Sequence, residues 1–307
     1  MKRIIVSPYV KLVKENYAMW KFLSKKKIIQ SPLLLYRAQY FFKIKLGQNL
    51  AMRSFRKKGL FISTHIETYA YCNRKCSFCF NHDRFPQRSL GIMSESIWKR
   101  IIDELSELRF SGKISPYYYG EPLLDKRLSS VIAYAREKCP ISFIEINTNG
   151  DFLTEKRLLD LIKNGINRIL VTNYYSVGIE DRPPSAVMRA TKRLIYLAKK
   201  YPQFVELRNW YDMMLINRCG VIFNKENTRK NDPCLRPLSQ LVIDWQGNVI
   251  LCCNDYYSEY RIGNVEKESI LDLWRKARFN YFREILESGN REKIKICAGC
   301  DVAGEIE

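Results

Sequence analysis

The chain has 307 residues, 46% of them hydrophobic, which is enough for a sizeable core in one large domain or in a large domain with a small one. Ten cysteines and no recognisable signal peptide favour a reducing compartment and metal ligation over disulfides. No apolar run approaches the roughly 18 residues that a membrane-spanning helix needs, so we expect a cytoplasmic protein.

The first 60 residues carry most of the net charge. Of the formal charge of +20, residues 1–60 contribute +14, because fifteen Lys and Arg stand against the single acid Glu15. Basic and large apolar residues are mixed there, which predicts a basic helical extension packed on the rest of the chain. Peripheral contact with the inner face of a membrane is an alternative. No nucleic-acid partner is expected, since no RNA-binding module is recognisable.

Three closely spaced cysteines follow the first predicted strand, at 61–70. Cys72, Cys76 and Cys79 have the spacing C-x3-C-x2-C, with Phe78 just before the last cysteine. Thiolates suit iron–sulfur clusters, and three ligands on a four-iron cube leave one iron open. A zinc site with a distant fourth ligand is the alternative, although structural zinc sites usually show paired C-x2-C halves.

Strands and helices alternate after the cysteines. Ser94 can cap a helix whose apolar residues repeat at helical spacing from Ile97 to Leu108. Further helices are predicted at 128–137, around 158–162 and at 191–200, and further strands at 114–119, 141–148, 168–172 and 213–216. This alternation predicts an α/β fold of parallel βα units, in the form of a partial (β/α) barrel over residues 61–222.

Two of the predicted strands end in short polar motifs. Gly120-Glu121-Pro122 closes the second strand, and Thr148-Asn149-Gly150 closes the third. Each motif alone is explained by a turn. In a barrel, however, the carboxyl ends of the strands converge on one face, where chemistry is placed.

Four further cysteines occupy the last third of the chain, residues 223–307. Cys234 and Cys252 bracket a predicted hairpin, with strands at 241–245 and 249–251 around Gly247. A helix is predicted at 271–286, and Cys297 and Cys300 then form a terminal C-x2-C pair. On spacing alone, four such thiolates bind either zinc or a cluster.

The cysteine triplet resembles the signature of radical S-adenosylmethionine enzymes. In that family the open iron binds S-adenosylmethionine, whose reductive cleavage yields a 5'-deoxyadenosyl radical that abstracts a hydrogen atom. The resemblance places the aromatic residue of the triplet near the adenine, the Gly-Glu-Pro motif at the amino group, and the next strand end near the ribose and carboxylate. The residues so implied to bind the cofactor are Phe78, Gly120, Glu121, Pro122, Thr148 and Asn149.

The C-terminal pattern resembles the shortened SPASM domain called twitch, which holds one auxiliary four-iron cluster. The matching features are C-x12-G-x4-C, then Gly263-Asn264, Leu273-Trp274 and the final C-x2-C. The likeness covers roughly residues 61–307 and implies two [4Fe-4S] clusters. The implied ligands are Cys72, Cys76 and Cys79 for the cluster that binds S-adenosylmethionine, and Cys234, Cys252, Cys297 and Cys300 for the auxiliary cluster.

Within the family, residues 119–124, 148–158 and Asn217-Arg218 resemble twitch enzymes that oxidise a ring alcohol to a ketone. This implies that Tyr119 and Arg218 contact a sugar or aminocyclitol, with Arg218 beside the alcohol whose proton leaves. The basic N-terminus would steer a phosphorylated, nucleotide-linked or lipid-linked form of that substrate. A one-electron reductant such as flavodoxin or ferredoxin is also implied.

The chain departs from those dehydrogenases at two places. Cys253-Asn254 stands where they have Phe-Glu, and Asn147 replaces a Tyr. A thiol at Cys253 beside the substrate can donate a hydrogen atom, so radical epimerisation is a second hypothesis. The alternatives for Cys253 are a buried small apolar residue or a cluster ligand in place of Cys252. Modification of a ribosomal peptide and a non-catalytic zinc-binding module are further alternatives. Cys139 and Cys219 are predicted to be structural. A role in the active site is an alternative for Cys219, because it directly follows Arg218.

Overall fold

Five parallel strands and the helices between them form the first part of the fold. The computed structural model describes residues 59–209, 217–221 and 231–302, together with residues 53 and 304. Neighbouring strands pair in parallel in chain order, which confirms the predicted partial (β/α) barrel. The strands are β1 (Ser63–Ile66), β2 (Lys113–Ser115), β3 (Phe143–Thr148), β4 (Arg168–Asn173) and β5 (Val205–Asn209), and the helices are α1 (Glu95–Glu107), α2 (Leu128–Lys138), α3 (Glu155–Lys163) and α4 (Pro184–Lys200).

The C-terminal hairpin continues the same sheet. Strand β6 (Gln240–Ile243) pairs in parallel with β1, and β7 (Asn248–Ile250) and β8 (Arg261–Asn264) follow in antiparallel order. The sheet order is therefore β5-β4-β3-β2-β1-β6-β7-β8. Because β6 is hydrogen-bonded to β1, the strand that leads into the cysteine triplet and the hairpin that leads into Cys252 belong to one continuous sheet.

Four short or medium helices complete the C-terminal part: α5 (Arg236–Ser239), α6 (Ile270–Arg275), α7 (Ala277–Glu287) and α8 (Lys295–Ala298). The prediction of one helix over 271–286 is wrong, because Lys276 adopts an extended conformation with φ −57° and ψ 137° between two helices. Its ammonium group is bound by both carboxylate oxygens of Glu268, at 2.6 and 2.8 Å. The break lets the fully buried rings of Trp274 and Phe279 meet edge to face, 5.3 Å apart.

Several boundaries also differ from the sequence prediction. Strand β2 ends at Ser115 because Pro116 has no N–H to donate to a neighbouring strand. Helix α4 begins already at Pro184, where the fixed φ of proline suits a first helical position. Strands β5 and β8 were not predicted. The predicted strand 213–216 and the basic extension up to residue 58, apart from residue 53, lie outside the described residues.

Helix α1 shows how the sheet is covered. Ser94 caps the helix as predicted, since its side chain accepts a hydrogen bond from the backbone N–H of Ile97 at 3.3 Å. One face of the helix is buried against the sheet and carries Ile97, Trp98, Ile101, Ile102 and Leu105. Within the part of the chain that the structure describes, no helix is both long and apolar enough to cross a bilayer.

Candidate active site

The cysteine triplet lies in the loop that follows β1. Cys76 is buried, and Cys72 and Cys79 are half-buried. Burial, together with the neighbouring Cys79 sulfur, raises the pKa of the Cys72 and Cys76 thiols to about 12 each. Three thiols of one loop become thiolates together only when a cation compensates their charge. A purely thiolate donor set of this kind fits an iron–sulfur cluster.

Asp151 anchors the cysteine loop to the end of β3. Its carboxylate accepts hydrogen bonds from Arg74 at 2.7 and 3.0 Å and from Asn73 at 2.6 Å. The same guanidinium also donates to the carbonyl oxygens of Tyr175 and Val177, at 3.3 and 3.2 Å, in the loop after β4. Sequence reasoning did not identify this clamp, although Arg74 lies inside the triplet and Asp151 directly follows the Thr-Asn-Gly motif.

Gly178 closes the other side of the cysteine loop. The residue has φ +78°, and a Cβ added there would lie 2.8 Å from the backbone nitrogen of Cys76 and 2.9 Å from its sulfur. Only glycine adopts this conformation cheaply while leaving that space to the sulfur. The loop after β4 therefore packs directly on the middle cysteine.

The carboxylate of Glu121 joins the two polar strand ends. It is buried and accepts hydrogen bonds from the Thr148 hydroxyl at 2.5 Å, the Asn149 N–H at 2.9 Å and the Leu123 N–H at 3.0 Å. Burial outweighs these donors and raises the pKa of Glu121 to about 7. The residues expected beside the cofactor at the ends of β2 and β3 are thus brought together by one internal carboxylate.

The remaining expected cofactor residues lie around the same strand ends. Gly120 passes so close to the segment after β1 that an added Cβ would lie 2.0 Å from the carbonyl oxygen of Tyr69, so no larger residue fits. Pro122 begins a short 3-10 turn, Pro122–Leu124. The buried ring of Phe78 packs against the ring of Tyr174 at a centroid distance of 5.1 Å.

A tight turn at residues 217–220 positions Arg218. Arg218 and Cys219 have left-handed φ values of 48° and 60°, which non-glycine residues rarely adopt. The guanidinium lies 5.6 Å from the centroid of the Tyr119 ring, and the sulfurs of Cys79 and Cys253 are among its electrostatic neighbours. The structure therefore brings the expected substrate residues together beside the cysteine triplet.

Sequence reasoning missed Tyr118 and Arg88, which lie at the same place. The hydroxyl oxygens of Tyr118 and Tyr119 are buried and have no hydrogen-bond partner among the described residues. Arg88 lies 5.5 Å from the Tyr118 ring and forms a buried ion pair with Glu67. Glu67 in turn accepts the backbone N–H of Trp245 at 3.3 Å, which ties the barrel to the hairpin. Nothing in the sequence marks Arg88, because its partner Glu67 lies 21 positions earlier in the chain.

A second group of cysteines lines a cavity between the hairpin and the C-terminal turn. Arg236, Asn254 and Arg291 contribute polar walls. A cavity bordered by thiols and buried guanidinium groups fits a negatively charged iron–sulfur cluster. No three metal-ligating side chains of the described residues are placed to share one metal ion. The cysteines of the cavity are Cys219, Cys234, Cys252, Cys297 and Cys300.

Cys219 and Cys300 are hydrogen-bonded to each other. This bond is the main reason why the pKa of the Cys300 thiol is lowered. The same bond, together with burial, raises the pKa of the Cys219 thiol. Cys253 does not line the cavity; its sulfur accepts a hydrogen bond from Arg236 at 2.9 Å and is an electrostatic neighbour of Tyr119.

Comparison with known proteins finds two family models in this chain. The model described as the radical SAM superfamily matches residues 66–196, and the SPASM model, an iron–sulfur cluster-binding domain, matches residues 234–301. A curated relative from Niallia circulans is 32% identical over 248 residues, which are 79% of this chain and 93% of the relative. That relative is named S-adenosyl-L-methionine-dependent 2-deoxy-scyllo-inosamine dehydrogenase.

Solved structures agree with these matches. The crystal structure of BtrN in complex with AdoMet and 2-DOIA superposes with a TM-score of 0.70 at 31% identity, over 80% of this chain and 97% of BtrN. The enzyme anSMEcpe with bound AdoMet is 15% identical, with a TM-score of 0.53, over 78% of this chain and 86% of that one, and shows likeness of fold alone. The chain therefore belongs to the radical S-adenosylmethionine superfamily, as an oxidoreductase with a C-terminal SPASM domain whose cofactors are S-adenosylmethionine and [4Fe-4S] clusters.

Proposed function

We propose that this enzyme oxidises a secondary alcohol of an aminocyclitol or sugar to a ketone by abstracting the hydrogen of the carbinol carbon. The observation that carries the proposal is the position of Arg218, over the Tyr119 ring and beside both Cys79 and Cys253. The relative's name, a dehydrogenase of the aminocyclitol 2-deoxy-scyllo-inosamine, supports this substrate class. Residues 61–222 form the catalytic barrel and residues 223–307 the auxiliary-cluster domain in this proposal.

The proposal assigns the two cysteine sets to two clusters. The triplet after β1 holds the cluster that binds S-adenosylmethionine, and the clamp of its loop to Asp151 supports that role. Around it, the strand ends joined by Glu121 line the cofactor. The assigned residues are Cys72, Cys76 and Cys79 with Phe78, Gly120, Glu121, Pro122, Thr148 and Asn149 for the first site, and Cys234, Cys252, Cys297 and Cys300 for the auxiliary cluster.

When bound, these cofactors would supply a radical that takes the carbinol hydrogen atom and an iron–sulfur acceptor for the remaining electron, while the hydroxyl proton would be released to solvent. Arg218 is always protonated, so it orients the substrate oxygen and stabilises negative charge there instead of acting as a base. The unpartnered Tyr119 hydroxyl offers a second hydrogen bond to the substrate. Water exclusion by the surrounding tyrosines strengthens both interactions.

The initiating electron comes from outside the chain. A small one-electron carrier such as flavodoxin or ferredoxin is proposed as the reductant, and a carrier with an acidic surface suits the net charge of +20. The charge of +14 on residues 1–60 likewise supports a phosphorylated, nucleotide-linked or lipid-linked substrate, or contact with an anionic membrane.

Replacing Arg218 with Lys is expected to lower kcat by about 10²–10³-fold, because lysine keeps the charge but loses the planar donor pair aimed at the substrate oxygen. Formation of 5'-deoxyadenosine without substrate should stay close to the wild-type rate, since the triplet is untouched. The matched control is Arg208→Lys on β5, whose guanidinium binds Glu206 at the surface. Equal kcat values for R218K and wild type would show that Arg218 takes no part in the reaction.

Epimerisation remains the second candidate because Cys253 lies beside Tyr119. The guanidinium of Arg236, 2.9 Å from the Cys253 sulfur, favours the thiolate, which has no hydrogen atom to give. We therefore expect turnover in deuterated water, with a panel of aminocyclitols and sugars, to yield a ketone without carbon-bound deuterium. An inverted alcohol that carries one solvent deuterium, lost in Cys253→Ala, would establish the epimerase instead.

A further inference from the structure

The cavity of the auxiliary site holds one cysteine more than its cluster needs. Five cysteines line it, whereas a [4Fe-4S] cluster takes one terminal ligand for each iron. Four of them lie within the SPASM match at residues 234–301, and Cys219 lies outside it. Cys219 is therefore an additional thiol in the cavity, beside the four assigned ligands.

The turn that carries Cys219 is docked firmly on the last cysteine pair. The backbone N–H of Asn217 donates to both carboxylate oxygens of Asp301, at 2.9 and 3.0 Å, and its side-chain amide donates to the carbonyl oxygen of Gly299 at 2.7 Å. A Cβ on Gly299 would lie 2.8 Å from the carbonyl oxygen of Cys219. The same turn thus fixes Arg218 over Tyr119 and the Cys219 side chain in the cavity.

Asn254 connects Cys219 with two of the assigned cluster ligands. Its backbone N–H donates to the Cys252 sulfur at 3.4 Å, and its side-chain amide donates to the Cys300 sulfur at 3.8 Å. The backbone carbonyl oxygen of Asn254 accepts a hydrogen bond from the Cys219 thiol at 3.9 Å. Asn254 is only 4% exposed, so water does not compete for these contacts.

We propose that Asn254 is a positioning residue that donates hydrogen bonds to the sulfurs of the auxiliary cluster and thereby raises the reduction potential of the cluster, and that Cys219 is a positioning residue that holds Asn254 in place. Donors to thiolate sulfurs stabilise the additional negative charge of a reduced cluster more than that of an oxidised one. A higher potential makes the cluster a better acceptor for the electron that leaves the substrate. The inference rests on the auxiliary-cluster ligands assigned under the proposed function.

The test is the midpoint potential of the auxiliary cluster in the full-length, anaerobically reconstituted enzyme, followed by EPR. Added S-adenosylmethionine perturbs only the cluster with an open iron, which separates the two signals. We expect Cys219→Ala and Asn254→Leu each to shift the midpoint to lower potential. Asn254→Asp should lower the midpoint potential further, because it replaces the amide donor with a carboxylate of nearly the same shape that carries a negative charge.

The matched control is Cys139→Ala, a buried cysteine whose sulfur lies 3.8 Å from the carbonyl oxygen of Ile102 on the barrel side. The midpoint potential of the auxiliary cluster in this variant should equal that of the wild type. Variants that hold full iron and keep the wild-type potential would overturn the inference. If Asn254→Asp does not retain the cluster, Cys219→Ala decides, since it removes only a thiol. If the iron content showed that the wild-type enzyme holds no second cluster, the assignment of the auxiliary-cluster ligands itself would be wrong.

Discussion

Replacing Cys76 with Ala is expected to abolish the formation of 5'-deoxyadenosine. Cys76 is the middle ligand of the proposed triplet, its side chain is only 7% exposed, and Gly178 packs directly against its sulfur. The site left by the substitution is too enclosed for an outside thiol to replace the ligand. Roughly half of the bound iron should be lost as well, because the auxiliary cysteines are untouched. Iron analysis and chromatography of the cleavage products measure both effects.

The same control cysteine separates ligand loss from loss of a buried thiol. Cys139 is 2% exposed and packs at the end of α2, so Cys139→Ala creates a small cavity without touching either cluster. It should cleave S-adenosylmethionine at the wild-type rate with a full complement of iron. Continued 5'-deoxyadenosine formation by C76A would show that the triplet does not bind the reactive cluster.

Replacing Asp151 with Asn is expected to produce the largest loss of stability at the site. The Arg74–Asp151 pair is joined at 2.7 Å, and the two side chains are only 5% and 3% exposed. Removing one partner of such a buried pair leaves an uncompensated charge and costs about 3–5 kcal/mol. Because Arg74 lies within the triplet loop, iron incorporation at the first site should fall together with the unfolding midpoint in denaturant.

The dependence on pH gives a second measurement of the same pair. Burial alone would raise the pKa of Asp151, but the hydrogen bond and charge of Arg74 prevail, and the pKa is lowered below its ordinary value of 3.8. A carboxylate with a depressed pKa contributes stability above its unfolded pKa and loses it as the pH falls through the folded value. The stability difference between wild type and D151N should therefore be constant near neutrality and shrink in acid.

The control for this pair is Asp83→Asn in the same loop. Lys75 and Asp83 are joined at 2.8 Å, but their side chains are 52% and 74% exposed. Solvent screens such a pair, so its removal should leave the stability close to that of the wild type. A D151N protein as stable as D83N, with full iron in both, would show that the clamp does not hold the cysteine loop.

The sequence by itself determined the class of chemistry and the barrel. Cysteine spacing is a local property of the chain, so C-x3-C-x2-C at Cys72 to Cys79 indicated a cluster before any fold was known. The alternation of strands and helices is equally local, and it predicted the parallel sheet correctly. Substrate contacts by Tyr119 and Arg218 came from resemblance, since neither residue carries a pattern of its own.

Only the tertiary structure decided which distant residues meet. Arg74 and Asp151 are separated by 77 positions, and no periodicity links a cation in one loop to an acid in another. The same holds for Cys219, which joins the auxiliary cavity only because Asn217 and Asp301 dock its turn there. Ligand spacing and strand patterns depend on residues that are close in sequence. Charge partners and docked turns depend on how the sheet brings remote segments together.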